Sequence, residues 1–226
     1  NTWSFEAGVT RGWNQSLNDN NDAIDFTGRI QWRPCNQNFL QTSFIAGPES
    51  GGMTYDGSSY SDNAHYTWAV DTTYQYYPNW NPQLTFAADA VLGYSYNGVG
   101  NNFNGGYINP KGMPGGTVMW YDTSLYQYYH INDYLTWNNR EEYYYDGGGF
   151  TTGGFGQFMP MYYTHGTSVS YGELTTGLKI TPFPDNPYLR NLYLRPELRF
   201  DMADHAVLTN DKHYQTTLAM DVVYQF

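Results

Sequence analysis

The stretch that decides the fold class is LYLRPELRFDM, residues 192–202. Its even positions are all apolar, whereas its odd positions read Tyr, Arg, Glu, Arg and Asp. Successive side chains of a β-strand point to opposite faces of a sheet, so this pattern predicts a strand with one apolar and one charged face. The period of two returns in residues 213–226, which end in Tyr224, Gln225 and Phe226.

The same period recurs along the whole chain, and it predicts about ten strands. Their predicted ranges are 2–13, 23–34, 38–48, 65–78, 83–97, 117–131, 134–146, 168–182, 192–203 and 213–226. Strands of soluble proteins average about five or six residues, whereas a tilted strand needs about 9–11 to cross a bilayer. We therefore predict an all-β protein: an antiparallel transmembrane β-barrel of about ten strands, forming one domain over residues 1–226.

The predicted connections between the strands alternate in length. Long ones span Pro48–Ala64, Asn97–Gly116 and Gly147–Thr167, whereas Pro34–Gln37 and Asn132–Asp133 are tight turns. Barrels of outer membranes have long external loops and short periplasmic turns. The connections thus agree with a location in a bacterial outer membrane.

Composition excludes several other classes of protein. Only 14% of the 226 residues are charged, the net charge is −11, and Lys occurs only three times, so no basic patch is available for nucleic acid. The single cysteine, Cys35, excludes an internal disulfide framework and a Cys-rich zinc site. No apolar run is long enough for a transmembrane helix. Because the chain begins with Asn1 rather than Met, we expect a processed or truncated N-terminus.

Three stretches carry a resemblance to a known family. The C-terminal aromatic-X-Phe of residues 224–226 resembles the insertion signal of bacterial outer-membrane barrels. AGVTRGWN (residues 7–14), LRPELRFD (194–201) and MDVVYQF (220–226) resemble strands of the OmpL-like beta-barrel porin family. The resemblance implies a porin-like outer-membrane barrel and no particular substrate. Members of that family are usually longer, so the chain is interpreted either as a small member or as part of a larger barrel.

Strand parity assigns most charged side chains to the face opposite the apolar one, which is the lumen in a barrel. The residues assigned to the lumen are Glu6, Asp25, Arg29, Asp71, Asp89, Asp122, Arg140, Glu142, Glu173, Lys179, Arg195, Glu197, Arg199, Asp201 and Asp221. One interpretation is a lining that selects ions. The other is an ion-pair network that fills a narrow barrel. Both require the same residues inside, so both remain open.

Arg195 and Arg199 give the sharpest expectation for these charges. The apolar positions beside them fix their side chains on the inward face. Neighbouring strands offer Glu173 on one side and Asp221 on the other. We therefore expect the two arginines to pair across strands with such carboxylates.

Catalytic and metal sites have weaker support. His165 and Ser168 with Asp122 or Glu142 would supply a hydrolase triad by residue type, and Asp62–His65 or Asp204–His205 would supply an Asp/His pair. No Gly-x-Ser-x-Gly motif accompanies them. Residues 18–22 have the composition of a calcium loop but lack the Gly and Glu of an EF-hand. We predict no enzyme, no metal and no cofactor.

Two further features concern the membrane-facing side. Tyrosine clusters at 74–77, 126–129 and 143–145 are interpreted as interfacial girdles, with sugar-binding platforms as the alternative. Parity puts Glu141 on the apolar face, which requires a bulge, a covering partner or a place near the membrane interface.

The sequence thus predicts a porin-like passive channel or structural barrel with a charged lumen. The alternative is a non-conducting barrel subunit within a larger envelope assembly, and an outer-membrane hydrolase is the third possibility. Expected partners are outer-membrane lipid, and either other envelope proteins or copies of the chain itself. No nucleic acid is expected.

Overall fold

The computed structural model describes residues 2–12, 23–53, 59–99, 116–147, 151–152 and 168–226. These residues form ten β-strands and no α-helix. The strands are β1 (Thr2–Thr10), β2 (Asp25–Cys35), β3 (Asn38–Met53), β4 (Ser59–Tyr76), β5 (Leu84–Val99), β6 (Gly116–Asn132), β7 (Leu135–Asp146), β8 (Val169–Ile180), β9 (Leu192–Ala203) and β10 (Tyr214–Tyr224).

The strands form one antiparallel sheet in chain order, so every strand pairs with its sequence neighbours. β1 pairs only with β2 and β10 only with β9, and no backbone pairing joins β1 to β10 among the described residues. The sheet is therefore open between these two edges. The predicted number of strands and their antiparallel order are confirmed.

Alternation gives the sheet two chemically different faces. On β10, Leu218 opposes Leu198, and on β1, Phe5 opposes Ile30. We call their side the apolar face; it remains exposed, with 81% of Leu218 and 69% of Phe5 accessible. The opposite side, which carries the paired Glu6 and Arg29, is the charged face. A large exposed apolar surface is unfavourable in water, so the apolar face suits contact with lipid.

The prediction of a long loop at residues 48–64 is wrong. Strands β3 and β4 continue through it and leave only residues 54–58 between them. Backbone pairing runs on from Ser50 opposite Asp62 to Met53 opposite Ser59, after a register shift next to Pro48. Apolar alternation is needed only where a strand has one buried or lipid-facing side, so its end does not mark the end of backbone pairing.

Two glycines permit close packing on the charged face. A Cβ atom at Gly47 would lie 1.6 Å from Asp25 Oδ1, and a Cβ at Gly93 would lie 2.0 Å from the Trp120 ring. Asp25 and Trp120 are both buried in this way. The missing side chains therefore let a carboxylate and an indole lie flat against the neighbouring strand.

No helix among the described residues is both long enough and apolar enough to span a membrane.

Candidate functional site: the charged face

The register places the predicted charged residues on one face. A single cross-strand row runs from Asp89 through Ser124, Glu142 and Glu173 to Asp201. Directly opposed residues point to the same side of a sheet, and so do residues two positions apart on one strand. By this rule all of the following lie on the charged face: Glu6, Asp25, Arg29, Asp71, Asp89, Asp122, Arg140, Glu142, Glu173, Lys179, Arg195, Glu197, Arg199, Asp201 and Asp221. Their role as a channel lining stays a prediction.

An ion-pair network joins β7, β8 and β9 on this face. Arg140 Nη2 lies 2.5 Å from Glu142 Oε2 and 2.7 Å from Glu173 Oε2. Arg199 Nη2 lies 2.8 Å from the same Glu173 oxygen, and its Nε lies 2.7 Å from Asp201 Oδ1. Glu173, whose side chain is 5% exposed, thus joins two guanidinium groups whose own side chains are 34% and 42% exposed.

Two exposed ion pairs lie elsewhere on the charged face. Arg195 binds Asp221 through two hydrogen bonds, with Nε 2.8 Å from Oδ1 and Nη2 2.5 Å from Oδ2. Arg29 pairs with Glu6 across β1 and β2. The predicted pairing of Arg195 and Arg199 with cross-strand carboxylates, Asp221 and Glu173, is confirmed. Its geometric cause is register, since Arg195 stands directly opposite Asp221.

Three carboxylates of this face lie apart from the described ion pairs. Asp71, Asp89 and Asp122, on β4, β5 and β6, have no Lys or Arg within 4.0 Å among the described residues. Asp122 accepts a hydrogen bond of 3.0 Å from Ser124, which also reaches Glu142 at 3.4 Å. The hydroxyl of Ser124 thus bridges the acidic strands to the ion-pair network. We call Asp71, Asp89 and Asp122 the acidic row.

Two more predicted residues of the charged face, Glu197 on β9 and Lys179 on β8, lie outside the ion-pair network. Glu197 is exposed and has small neighbours across the strands, Gly177 on one side and Ala219 on the other. Lys179 places its Nζ 3.7 Å from the centre of the Tyr193 ring, a cation–π contact.

A cavity of about 770 Å³ opens on the charged face of β7–β10. Carboxylates and tyrosines line it, including Glu142, Glu197, Tyr144 and Tyr171, and Val207–Thr209 lies along one side. This volume falls within the range of small-molecule sites, about 300–1,000 Å³. The cavity can therefore hold a hydrated ion or a small polar solute.

One wall of the cavity is a chain segment held by Asp146. Its carboxylate, fully buried, accepts hydrogen bonds from the backbone N–H groups of Thr151 and Thr152, at 3.1 and 2.8 Å. The Thr152 hydroxyl donates to Asp146 at 2.6 Å, and Tyr171 donates to the Thr152 hydroxyl at 3.0 Å. These bonds fix Thr151 and Thr152 over the charged face. Sequence reasoning did not single out Asp146 or Thr152, although Asp146 shares the parity of Glu142.

The tyrosine clusters divide between the two faces. Tyr143 and Tyr145 lie on the apolar face, where Tyr145 stacks with Tyr121 at 5.1 Å between ring centres, as an interfacial girdle would. Tyr144 lies between them on the charged face and bonds to Thr151. A run of three tyrosines in a strand cannot share one face, so the girdle interpretation applies only to alternate members.

The hydrolase candidates do not assemble into a triad in the described residues. His165, the 18–22 segment and the side chains of Asp62 and His65 lie outside them. His205 contacts Asp204 at 2.8 Å, but the same Asp204 oxygen also accepts the backbone N–H of Ser170 at 2.9 Å. Burial raises the pKa of Asp204, but the hydrogen bonds from His205 and Ser170 outweigh it and hold that pKa below its usual value. This pair connects the start of β8 to the end of β9.

Metal ligands are likewise not grouped. The described residues contain no cluster of three or more His, Cys, Asp or Glu side chains arranged to hold a metal ion.

A single antiparallel sheet with an exposed apolar face, aromatic strand ends and a charged opposite face defines the class of membrane β-barrels. A family model described as "Putative beta-barrel porin-2, OmpL-like" matches residues 1–226, and the chain belongs to this family. The predicted family is thereby confirmed. No curated protein matches the chain significantly.

Proposed function

We propose that this protein is an outer-membrane β-barrel that acts as a passive channel for small hydrophilic cations. The family supports the porin-like part of the proposal. The cation selectivity in this proposal rests on one observation, the excess of negative charge on the charged face. A lining of one sign concentrates counter-ions and repels ions of its own sign.

The excess is large. Eleven carboxylates and six Lys or Arg side chains lie on the charged face among strand residues whose side chains are described. The carboxylates are Glu6, Asp25, Asp71, Asp89, Asp122, Glu142, Asp146, Glu173, Glu197, Asp201 and Asp221, and the cations are Arg29, Arg33, Arg140, Lys179, Arg195 and Arg199. Four of the arginines are already bound to carboxylates, so they offer little attraction to an anion.

Conductance in planar bilayers under a KCl gradient tests this function. We expect single-channel steps and a reversal potential on the cation-selective side. Replacing all three members of the acidic row with asparagine should move that potential toward zero, whereas Asp185→Asn, in the exposed connection between β8 and β9, should leave it unchanged. An anion-selective channel would contradict the proposed substrate class.

A structural, non-conducting barrel is the second candidate, and a specific observation favours it. The charged face is closely packed near Asp146, where Val169 and Trp120 are also buried. The segment tied to Asp146 adds to this packing. Folded protein that inserts into bilayers without any conductance would support this candidate and contradict the channel.

The proposed orientation places Phe226 at the periplasmic rim. β10 then carries the chain from Lys212, on the external side, and the connection with Arg190 lies on the periplasmic side. Both residues are exposed, so only the membrane decides which of them a protease reaches. We expect trypsin added to intact cells to cut at Lys212 and to spare Arg190.

Trypsin added to opened cells is the control, and it should cut at both sites. Cleavage of intact cells at Arg190 alone would overturn this orientation.

A further inference from the structure

The apolar face is interrupted on β6 and β7. On β9 and β10 the outward positions between the strand ends are apolar except Thr216, as at Leu198, Phe200 and Met220. On β6 the outward positions between Tyr121 and Tyr129 include Thr123 and Gln127. On β7 the outward positions between Trp137 and Tyr143 are Asn139 and Glu141. We call the four residues Thr123, Gln127, Asn139 and Glu141 the polar sector.

Three members of the polar sector, Gln127, Asn139 and Glu141, adjoin one another. Gln127 stands directly opposite Asn139, and Asn139 Nδ2 donates to Glu141 Oε1 at 3.3 Å. Glu141 lies between Leu125 and Leu174, which are 48% and 47% exposed. The sector is thus surrounded by side chains that face outward.

The outward orientation of Glu141 is not caused by a bulge. The pairing of β7 with β8 is regular throughout, and that of β7 with β6 shifts only at the far end, near His130 and Asn132. Of the three explanations that the sequence allows for Glu141 on the apolar face, a bulge is therefore excluded. A place near the membrane interface is also a weak explanation. Glu141 is the seventh of the twelve residues of β7, which is the middle of the strand.

Lipid is a poor neighbour for this sector. Hydrocarbon chains offer no hydrogen-bond donor to a carboxylate, and the one described donor, Asn139, supplies a single bond. Among strand positions with described side chains, Glu141 is the only charged residue on the apolar face. A partner that covers it must supply a cation or several N–H donors at its depth.

A second copy of this chain does not supply that cation. All six Lys and Arg residues of the ten strands lie on the charged face. A symmetric contact between two copies would also bring two Glu141 carboxylates to the same depth, which is unfavourable in a medium of low dielectric. Charge complementarity therefore selects a different chain.

We propose that the polar sector is the docking surface for a different membrane-spanning protein, which presents an arginine or lysine to Glu141 and hydrogen-bonding side chains to Gln127 and Asn139. Arginine fits best, since its planar guanidinium can bind a carboxylate through two hydrogen bonds. This interface does not depend on whether the barrel conducts ions.

Site-specific photo-crosslinking of the full chain in its native membrane tests the proposal. A crosslinking amino acid at Gln127 should give a protein adduct, and the same amino acid at Leu198, on the apolar face of β9, should give none. The crosslinked peptide should come from a membrane-spanning segment of another protein that contains Arg or Lys. An adduct of two copies of this chain, or adducts with lipid alone, would overturn the proposal.

Variants at Glu141 separate docking from folding. Glu141→Arg should reduce the Gln127 adduct at least tenfold through charge repulsion. Glu141→Arg places a new cation on the apolar face and can therefore impair folding, so Glu141→Leu is the second variant. Leucine suits lipid, so this variant should fold and show the heat-modifiable gel mobility of a folded barrel. It should nevertheless lose the adduct. An undiminished adduct in folded Glu141→Leu protein would show that the carboxylate is not recognised.

Discussion

Glu173→Ala is expected to lower the free energy of unfolding by about 1–3 kcal/mol, the cost of removing a buried partner from charged hydrogen-bonding groups. The Glu173 side chain is 5% exposed and neutralises both Arg140 and Arg199. Its loss removes the buried carboxylate that both guanidinium groups share, although Arg140 keeps Glu142 and Arg199 keeps Asp201. Urea unfolding of the folded protein in lipid vesicles, followed by tryptophan fluorescence, measures the change.

Glu6→Ala is the matched control for this variant. Glu6 also pairs with an arginine on the neighbouring strand, but its side chain is 60% exposed. Removing an exposed pair costs about 0–1 kcal/mol. Equal, small losses for Glu173→Ala and Glu6→Ala would mean that water reaches the whole ion-pair network, and would refute the buried network described above.

The second large effect is expected on the apolar face. Leu218 lies near the middle of β10, and Leu218→Arg would place a cation among lipid chains. A cation at the midplane of a barrel's lipid-facing surface costs about 2–4 kcal/mol. The same unfolding measurement in vesicles should show this loss, together with a lower yield of folded, heat-modifiable protein.

Ala219→Arg provides the comparison, one residue further along the same strand. Ala219 points to the charged face and stands opposite Glu197, which has no arginine within ion-pair distance among the described residues. The new arginine can therefore pair with that carboxylate, and we expect a change within about 1 kcal/mol. If Leu218→Arg were tolerated and Ala219→Arg were not, the two faces of β10 would be assigned the wrong way round.

Much of this protein could be predicted from residue order because a strand has a period of two. The alternation in residues 192–202 was enough to place Arg195, Glu197 and Arg199 on one face. With β10 as the next strand, the pairing of Arg195 with Asp221 followed from register alone. The number of strands is local information in the same sense, since each strand carries its own apolar alternation.

Other features depend on how separate strands pair with one another, which alternation within one strand does not reveal. The end of the β3–β4 hairpin is set by backbone pairing beyond Pro48, which continues without an apolar pattern. The split of Tyr143, Tyr144 and Tyr145 between two faces follows from parity but was obscured by their identical chemistry. The exclusion of a bulge at Glu141 required the actual register of β7 against both neighbours.

By itself the sequence determined the number of strands, their two faces and which face carries the charges, because these follow from side-chain alternation within single strands. Only the tertiary structure decided which carboxylates are buried and shared and which are not. Glu173 lies between two arginines because β7, β8 and β9 meet there, whereas the acidic row on β4–β6 has no arginine or lysine within ion-pair distance in the described part of the chain. Asp146 holds Thr151 and Thr152 because the chain turns back after β7. Burial and partnership depend on which strands become neighbours and where the chain folds back, and alternation within one strand carries no information about either.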